Sequence, residues 1–233
     1  MPKIGIILGS GLHLLVKNLE EKKLLLSQNS GIHQKRIYSG YLNDKQVTVF
    51  QGRNHYYEGL GNEDVLFNVN FAAKLGIDVL IITNAAGGLN PNFKVSELML
   101  ITSHINLLMR RFPIVKNVIP YNSELIRRIK HLATKNKIKL HTGTYCASIG
   151  PMYETTSEIA MYRKYNIDAV GMSTIPEILY SRSIGINVIA ISCITNLLKT
   201  NNTDTINHLE VVEAGKRASN NLSRLIKLIV NDN

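Results

Sequence analysis

The chain has 233 residues with 45% apolar content, and its 27 Lys and Arg against 17 Asp and Glu give a formal net charge of +10. This length suits one large α/β domain or two small ones, and the ordinary composition excludes low-complexity and fibrous classes. The first apolar run ends at Gly9 and is too short for a signal peptide or a membrane span. Cys146 and Cys193 lie far apart without metal-ligand spacing, which favours reduced thiols. We therefore expect a cytoplasmic protein.

Much of the positive charge lies between Arg110 and Lys139, where Glu124 is the single acidic residue. A basic segment of this kind can mark contact with nucleic acid or a membrane surface. It can also be the solvated face of a helix with its loop. No RNA-binding aromatic signature or zinc spacing accompanies the charge, so we favour the solvated face and expect no nucleic-acid or membrane partner.

The first half of the chain predicts three strands that each end near polar or small residues. The strand Lys3–Leu8 leads into Gly9-Ser10-Gly11 and a helix over Leu12–Glu20, an arrangement that serves equally as an anion site or a plain turn. A strand over Lys45–Gln51 precedes two side chains, Arg53 and His55, whose spacing places them on one side of an extended segment. An arginine fork beside a histidine suits an oxyanion, and the alternative is a surface Arg–Glu pair beside a half-buried histidine.

The third strand, Ile77–Thr83, follows a predicted helix over Glu63–Leu75. It is an apolar, β-branched run typical of a strand buried on both faces. Thr83–Gly88 then predicts a tight turn of small residues, which is either a ligand-binding turn or a plain one.

The second half predicts a strand over Glu97–Ser103, a helix near Ser123–Asn136 and a strand over His141–Ile149. Thr155 and Glu158 have capping-box spacing, so a helix should begin at Thr155. Glu154 then stands just outside the helix and Tyr153 precedes it. A carboxylate there can accept paired N–H donors from a planar heterocycle while the tyrosine packs on the ring, or it can simply complement the helix dipole.

The same pattern recurs further on, where Thr174 and Glu177 form a second possible capping box with Pro176 in the first turn. Ser173 would present its hydroxyl at that helix start. A buried strand, Asn187–Thr195, ends at Asn196, which can donate and accept hydrogen bonds. A long amphipathic helix is predicted over Thr205–Val230. His208 lies near its start and, taken singly, is typical of a surface residue.

Six motifs occur in one order along nearly the whole chain. Together they resemble the trimeric purine nucleoside phosphorylase family, and the combination is far more specific than any one motif. They are LGSGL (Leu8–Leu12), QGRNHYYEG (Gln51–Gly59), TNAAGGLNP (Thr83–Pro91), GPMYET (Gly150–Thr155), GMSTIPE (Gly171–Glu177) and ITN (Ile194–Asn196).

The resemblance implies one α/β domain over residues 1–233, with a mixed, partly barrel-like central sheet flanked by helices. It implies reversible phosphorolysis of purine nucleosides, with 6-oxopurines preferred, by a homotrimer. Phosphate would be the co-substrate, and no metal or organic cofactor would be needed. The implied site residues are Ser10, Arg53, His55, Ala85 and Ser173 for phosphate; Tyr57, Met172, His208 and Phe112 for ribose; and Tyr153, Glu154, Thr195 and Asn196 for the base. Among them His55, Glu154 and Asn196 would be catalytic.

The sequence also departs from the family pattern. The loop between Asn106 and Arg111 is shorter than usual, which leaves less cover for a neighbouring ribose site capped by Phe112. The segment between Asn196 and His208 is short as well. Two alternatives stay open: a same-fold methylthioadenosine phosphorylase or nucleosidase, and a non-catalytic nucleoside- or RNA-binding protein. Asn196 argues against the methylthioadenosine enzyme, which carries an aspartate at that position.

Overall fold

A computed structural model describes residues 2–28, 34–108, 120–199 and 208–232. Within them it contains a nine-stranded sheet and seven α-helices. The strands are β1 (Ile4–Leu8), β2 (Glu20–Gln28), β3 (Lys35–Leu42), β4 (Lys45–Gln51), β5 (Val79–Gly88), β6 (Leu98–Asn106), β7 (Leu140–Ala147), β8 (Ala169–Gly171) and β9 (Asn187–Leu197). The helices are α1 (Leu14–Lys17), α2 (Asn62–Val65), α3 (Phe67–Lys74), α4 (Ser123–Lys135), α5 (Thr156–Lys164), α6 (Ile175–Ser183) and α7 (His208–Asp232).

The sheet closes on itself at one end. Its strand order is β2-β3-β4-β1-β5-β8-β7-β6-β9, and an additional pairing joins β5 to β9. The five strands β5, β8, β7, β6 and β9 therefore form a ring, while β2, β3, β4 and β1 extend from it as an open sheet. Parallel and antiparallel pairs are mixed. The predicted fold class, an α/β fold with a mixed and partly barrel-like sheet, is confirmed.

One edge of β5 has two partners in succession. Its first half, Val79–Ile82, pairs with β1, and its last two residues, Gly87 and Gly88, pair with β8. Between those pairings the strand faces a gap, and the chain segments that follow β1 and β8 both begin at this gap. This split in the sheet positions the site described below, as expected for a crevice beyond strand ends.

The strand over Val79–Gly88 is longer than predicted. The sequence placed its end at Thr83 and a tight turn over the small residues that follow, and this prediction is wrong. Strand β5 continues through Gly88 along β9, with a register irregularity between Ala86 and Gly87. The glycines permit close packing instead of a turn, since a Cβ on Gly88 would lie 2.8 Å from Ile194 Cγ2.

Helices cover both faces of the sheet. Helix α7 packs on β9, α1 and α4, and its apolar side includes the buried Ala214, Ala218, Leu222, Leu225 and Ile229. The amphipathic helix predicted over Thr205–Val230 is confirmed from His208 onward. On the other face, α6 packs on β9 and α3. Full burial of a leucine-sized side chain stabilises the fold by about 1.5–3 kcal/mol, so these faces dominate the packing energy.

Two other helix predictions need correction. The helix expected over Leu12–Glu20 is confined to Leu14–Lys17, because Glu20 begins β2 and pairs with Tyr41 of β3. The helix expected over Glu63–Leu75 is broken at Leu66 into α2 and α3. The helix beginning after Thr155 is confirmed, with Thr155 as its N-cap in a complete capping box.

The basic segment is partly described, since Arg110, Arg111 and Lys116 lie outside the described residues. Arg127 is exposed and pairs with Glu124 on α4, as a solvated helix face requires. Cys146 and Cys193 are free and buried in β7 and β9. None of the described helices is both long and apolar enough to cross a membrane.

Candidate active site

The candidate site is one cavity of about 640 Å³ at the gap between β1 and β8. Eleven of the thirteen site residues predicted from the sequence line it: Ser10, Arg53, His55, Tyr57, Ala85, Tyr153, Glu154, Met172, Ser173, Thr195 and Asn196. His208 is the first residue of α7, but its side chain lies outside the description. Phe112 lies outside the described residues altogether.

Ser10 sits in a turn that is fixed on two sides. The Gly9 amide donates to Thr83 Oγ1 at 3.1 Å, which ties the turn to β5. Gly11 has φ of +77°, and a Cβ there would lie 2.8 Å from the Val212 carbonyl oxygen of α7. Only glycine combines this backbone conformation with so close an approach. The Ser10 turn is therefore held between strand β5 and helix α7.

Arg53 is buried with 5% exposure and is held by groups from strand β5, helix α6 and the segment between β8 and α6. Its Nη1 donates to the Thr83 carbonyl oxygen at 2.9 Å and to Ser173 Oγ at 3.1 Å. Its Nη2 lies 3.3 Å from Glu177 Oε2 on α6. The alternative of a surface Arg–Glu pair is wrong, because both side chains are buried and Arg53 lines the cavity.

The Ala85 amide is directed into the gap. In a strand, residues two apart send their backbone N–H and C=O groups to the same edge. The Thr83 carbonyl accepts from Arg53 at that edge, so the N–H of Ala85 points there too. Consistent with this, a Cβ on Gly171 of β8 would lie 3.3 Å from the Ala85 carbonyl oxygen.

His55 is positioned by the carboxylate of Glu58. It precedes a short 3-10 helix, Tyr56–Glu58, and its backbone N–H donates to Glu58 Oε1 at 2.8 Å. The same oxygen lies 3.2 Å from His55 Nδ1. The imidazole also stacks on Tyr57, with ring centroids 4.8 Å apart. Because Nδ1 is held by the carboxylate, the neutral ring favours its proton at Nδ1, and Nε2 is then a hydrogen-bond acceptor.

Ser173 lies between β8 and α6 in a cluster of hydroxyl groups. Its Oγ is 3.1 Å from Thr174 Oγ1, which accepts from Asn84 Nδ2 at 2.9 Å. Tyr145 OH donates to the Ser173 carbonyl oxygen at 3.3 Å. Thr174 has φ of +79°, unusual for a β-branched residue, and its side chain makes no capping hydrogen bond.

The second capping box is therefore not formed as predicted. Helix α6 begins where the sequence placed it, but the Thr174 hydroxyl bonds Asn84 and the Glu177 carboxylate pairs with Arg53.

A carboxylate and an amide, Glu154 and Asn196, also line the cavity. Glu154 stands between β7 and α5, and burial raises its pKa above the ordinary value. The Thr195 hydroxyl lies 3.1 Å from Asn196 Oδ1. This contact occupies the amide oxygen of Asn196 and leaves Nδ2 as a donor. Burial, with Glu154 nearby, also raises the pKa of Tyr153, which stays neutral beside the carboxylate.

Tyr57 and Met172 also line the cavity. Burial raises the pKa of Tyr57 to about 12, so its hydroxyl remains a neutral donor and acceptor. Gly150 has φ of +70°, and a Cβ there would overlap the sulfur of Met172. The glycine of the GPMYET motif thus makes room for the Met172 side chain.

The cavity lining carries more cationic side chains than carboxylates. Among the described lining residues Glu154 is the single carboxylate, whereas Arg36, Arg53 and Lys216 are cationic. Arg36 and Lys216 were not predicted from the sequence, because neither belongs to a motif. The pairing of Glu177 with Arg53 was not predicted either, although both residues belong to the family motifs. A cavity lined by these cations together with a carboxylate and an amide suits a ligand that carries an anionic group and also presents N–H groups.

Comparison with known proteins identifies the family of the chain. The Phosphorylase superfamily matches residues 3–231. Purine nucleoside phosphorylase 1 of Geobacillus stearothermophilus is 37% identical over 98% of this chain and 90% of its own length. The chain belongs to the purine nucleoside phosphorylase family.

A mammalian relative and solved structures extend the match. Purine nucleoside phosphorylase of Mus musculus is 36% identical over 98% of this chain and 88% of its own. The crystal structure of Schistosoma mansoni purine nucleoside phosphorylase with adenosine has a TM-score of 0.89 and 30% identity, covering 98% of this chain and 90% of that one. The structure with inosine has the same TM-score at 29% identity, covering 100% and 90%. These similarities extend over the whole ring and the cavity, and the protein is an enzyme of this family.

Proposed function

We propose that the enzyme catalyses reversible phosphorolysis of purine nucleosides, with 6-oxopurines preferred, giving the free base and ribose 1-phosphate. One observation carries the proposal: the residues expected to bind phosphate and the residues expected to bind the base line one and the same cavity. The similar Schistosoma mansoni protein has been solved in complex with adenosine and in complex with inosine. The preference for 6-oxopurines therefore rests on the residues of this chain.

Phosphate would be held by Arg53, His55, the Ala85 amide and the hydroxyls of Ser10 and Ser173. Charge-assisted hydrogen bonds from a guanidinium and backbone amides suit a dianion. Holding the nucleophile against one face of C1′ removes the entropic cost of a bimolecular encounter. Tyr57, Met172, His208 and Phe112 are the proposed ribose contacts.

The groups proposed to bind the base would stabilise the charge that moves onto the leaving purine. Cleavage of the glycosidic bond proceeds through a ribosyl cation-like transition state, as in glycoside hydrolysis. The Asn196 amide would donate to N7 or O6 as the base gains electrons, and Glu154 would accept from N1–H. Tyr153 and Thr195 would pack beside the base. Donors aimed at developing charge stabilise the transition state more than the ground state.

No metal or organic cofactor enters this chemistry, because inorganic phosphate is the nucleophile and the protein supplies the charges. No group of three or more His, Cys, Asp or Glu suited to a metal occurs among the described residues. We also propose a cytoplasmic homotrimer acting in purine salvage, in which Phe112 closes the ribose site of a neighbouring subunit.

A substrate panel with and without phosphate tests the proposal. We expect hypoxanthine release from inosine only when phosphate is present, and ribose 1-phosphate as the second product. Release without phosphate would indicate a nucleosidase. Cleavage of methylthioadenosine in preference to inosine would indicate the related phosphorylase, and binding without release would indicate a non-catalytic nucleoside-binding protein.

A further inference from the structure

Arg53 is one half of a buried ion pair. Its Nη2 lies 3.3 Å from Glu177 Oε2, and the two side chains are 5% and 2% exposed. A guanidinium stays protonated at all ordinary pH values, and an unpaired buried charge is strongly unfavourable. Glu177 is the single carboxylate paired with Arg53 within the described part of the chain. Burial raises the pKa of Glu177, and the guanidinium beside it acts against that rise.

Arg53 lies nearer to the cavity than Glu177 does. Arg53 lines it, whereas Glu177 is not among the described lining residues and lies behind the guanidinium. Nη1 is occupied by Thr83 and Ser173. Arg53 Nε and Nη2 have no hydrogen-bond partner among the residues that the structure describes. An anion in the cavity would therefore share the guanidinium with a carboxylate already in contact with it.

The start of α6 explains why this carboxylate faces Arg53. Thr174 takes a left-handed conformation, and its hydroxyl is held by Asn84 rather than by the helix. A β-branched residue in this conformation is strained and needs support from its surroundings. The strained conformation of Thr174 therefore sets the start of α6, so that Ser173 contacts one side of the guanidinium and Glu177 the other.

We propose that Glu177 is a positioning residue that holds Arg53 and offsets its charge, and so limits how tightly the cavity binds phosphate. This inference rests on the proposed phosphorylase function. Ribose 1-phosphate keeps the phosphate group, so the same carboxylate also speeds release of the product. A negative charge beside the anion's main ligand opposes binding by at least about tenfold at the effective permittivity of a protein interior.

The test is Glu177→Gln, which keeps the size and one acceptor oxygen but removes the charge. Inorganic phosphate and inorganic sulfate are titrated into the nucleoside-free enzyme by calorimetry. We expect both anions to bind at least about tenfold more tightly than in wild type. In steady state, the KM for phosphate and kcat should fall together, because product leaves more slowly. A purely structural role would move the anion affinity in the opposite direction.

Thermal stability provides a second measurement, which can be made even when Glu177→Gln is less stable than wild type. In anion-free buffer Glu177→Gln leaves Arg53 without a counter-charge, and Tm should fall by roughly 10 °C. Saturating phosphate should then raise Tm by more than it does in wild type, because the anion replaces the missing charge. Glu124→Gln is the matched control, since it removes an exposed ion-paired carboxylate on α4 and should leave both readouts unchanged.

The outcomes separate the two proposals. Weaker or unchanged anion binding in Glu177→Gln, while wild type binds phosphate, would overturn the role of Glu177 and leave the phosphorylase function standing. A variant that stays unfolded in saturating phosphate would overturn it as well. Failure of wild type itself to bind phosphate would overturn the phosphate site and, with it, both proposals.

Discussion

Arg53 Nη1 donates a hydrogen bond of 3.1 Å to the Ser173 hydroxyl, although the two residues are 120 positions apart in the chain. One follows strand β4 and the other follows β8, and the gap in the sheet brings them together. Two of the groups proposed to bind phosphate therefore position each other. Loss of the arginine should affect both contacts to the anion.

Arg53→Ala should weaken phosphate binding by about 10- to 150-fold, the cost of a lost hydrogen bond between charged groups. The Kd for hypoxanthine, whose proposed contacts do not include Arg53, should change by less than about threefold on the same energetic scale. Calorimetry on protein confirmed as folded by circular dichroism measures both constants. Arg127→Ala, which removes an exposed arginine, serves as the control. Equal losses of affinity for phosphate and for hypoxanthine would show that the assignment of Arg53 to the phosphate is wrong.

Base selectivity should depend on Glu154 and Asn196 together. An ionised Glu154 accepts from N1–H of a 6-oxopurine and is repelled by the bare N1 of adenine. Each mispaired buried polar group costs about 1–3 kcal/mol, so inosine should exceed adenosine in kcat/KM by at least about tenfold. Asn196→Asp should narrow that ratio, because a carboxylate accepts from the adenine amino group and repels O6.

The ratio is measured with both nucleosides for wild type, Asn196→Asp and the control Asn92→Asp, which changes an exposed loop residue. Wild type that uses adenosine as well as inosine would contradict the assignment of these two residues to the base.

Assembly can be tested through Phe112. We expect an active trimer by light scattering, and Phe112→Ala should raise the KM for the nucleoside. Co-expression of Phe112→Ala with Glu154→Ala subunits should restore some activity. In a mixed trimer, some sites combine the intact Glu154 of one variant with the intact Phe112 of the other. An active monomer at assay concentration, or no restoration in mixed trimers, would refute a shared site.

Acid stability should depend on Glu97, which bonds Lys139 at 2.6 Å and His141 at 2.7 Å. Burial opposes ionisation of this carboxyl, but the hydrogen bonds from Lys139, His141 and the Lys94 backbone outweigh it and lower its pKa to about 2. A lowered folded-state pKa adds stability above the unfolded value of 4.5, and that stability is lost as the pH falls toward 2.

Glu97→Gln should therefore reduce the free energy of unfolding at pH 7 by about 1–3 kcal/mol. The difference from wild type should shrink as the pH falls from 5 to about 2.5, because protonation removes the wild-type advantage. Urea unfolding at several pH values measures it, with Glu124→Gln as the exposed control. A difference that stays constant over this range would rule out the ionised network as its source.

The sequence predicted best where a residue's structure depends on near neighbours. Strand β4 matches the predicted Lys45–Gln51 at both ends, and the Thr155 capping box forms as expected. The edge strand β2 was missed because nearly all its residues are exposed and its state depends on pairing with β3. The glycines at the end of β5 favour a turn locally, but two neighbouring strands pair with them.

Motif residues were brought together at the cavity, but their partners were harder to predict. Glu177 has the spacing of a capping residue, and nothing near it in the sequence identifies Arg53 as its contact. That pairing depends on how β4 and α6 meet across the sheet, which is a property of the tertiary fold. The same holds for Asn84, whose amide supports Thr174 from β5.

Closure of the strand ring has a consequence for how the molecule folds. Thr195 and Ala86 meet across β9 and β5, yet they are 109 positions apart in the chain. Contacts between such distant segments form slowly, since the entropy of closing a long loop is lost before the contact is gained. The groups proposed to bind phosphate come from β5 and from the segments after β1, β4 and β8, so no early fragment carries them all. Catalytic activity should accordingly return only in the slowest phase of refolding, after helical structure has already formed.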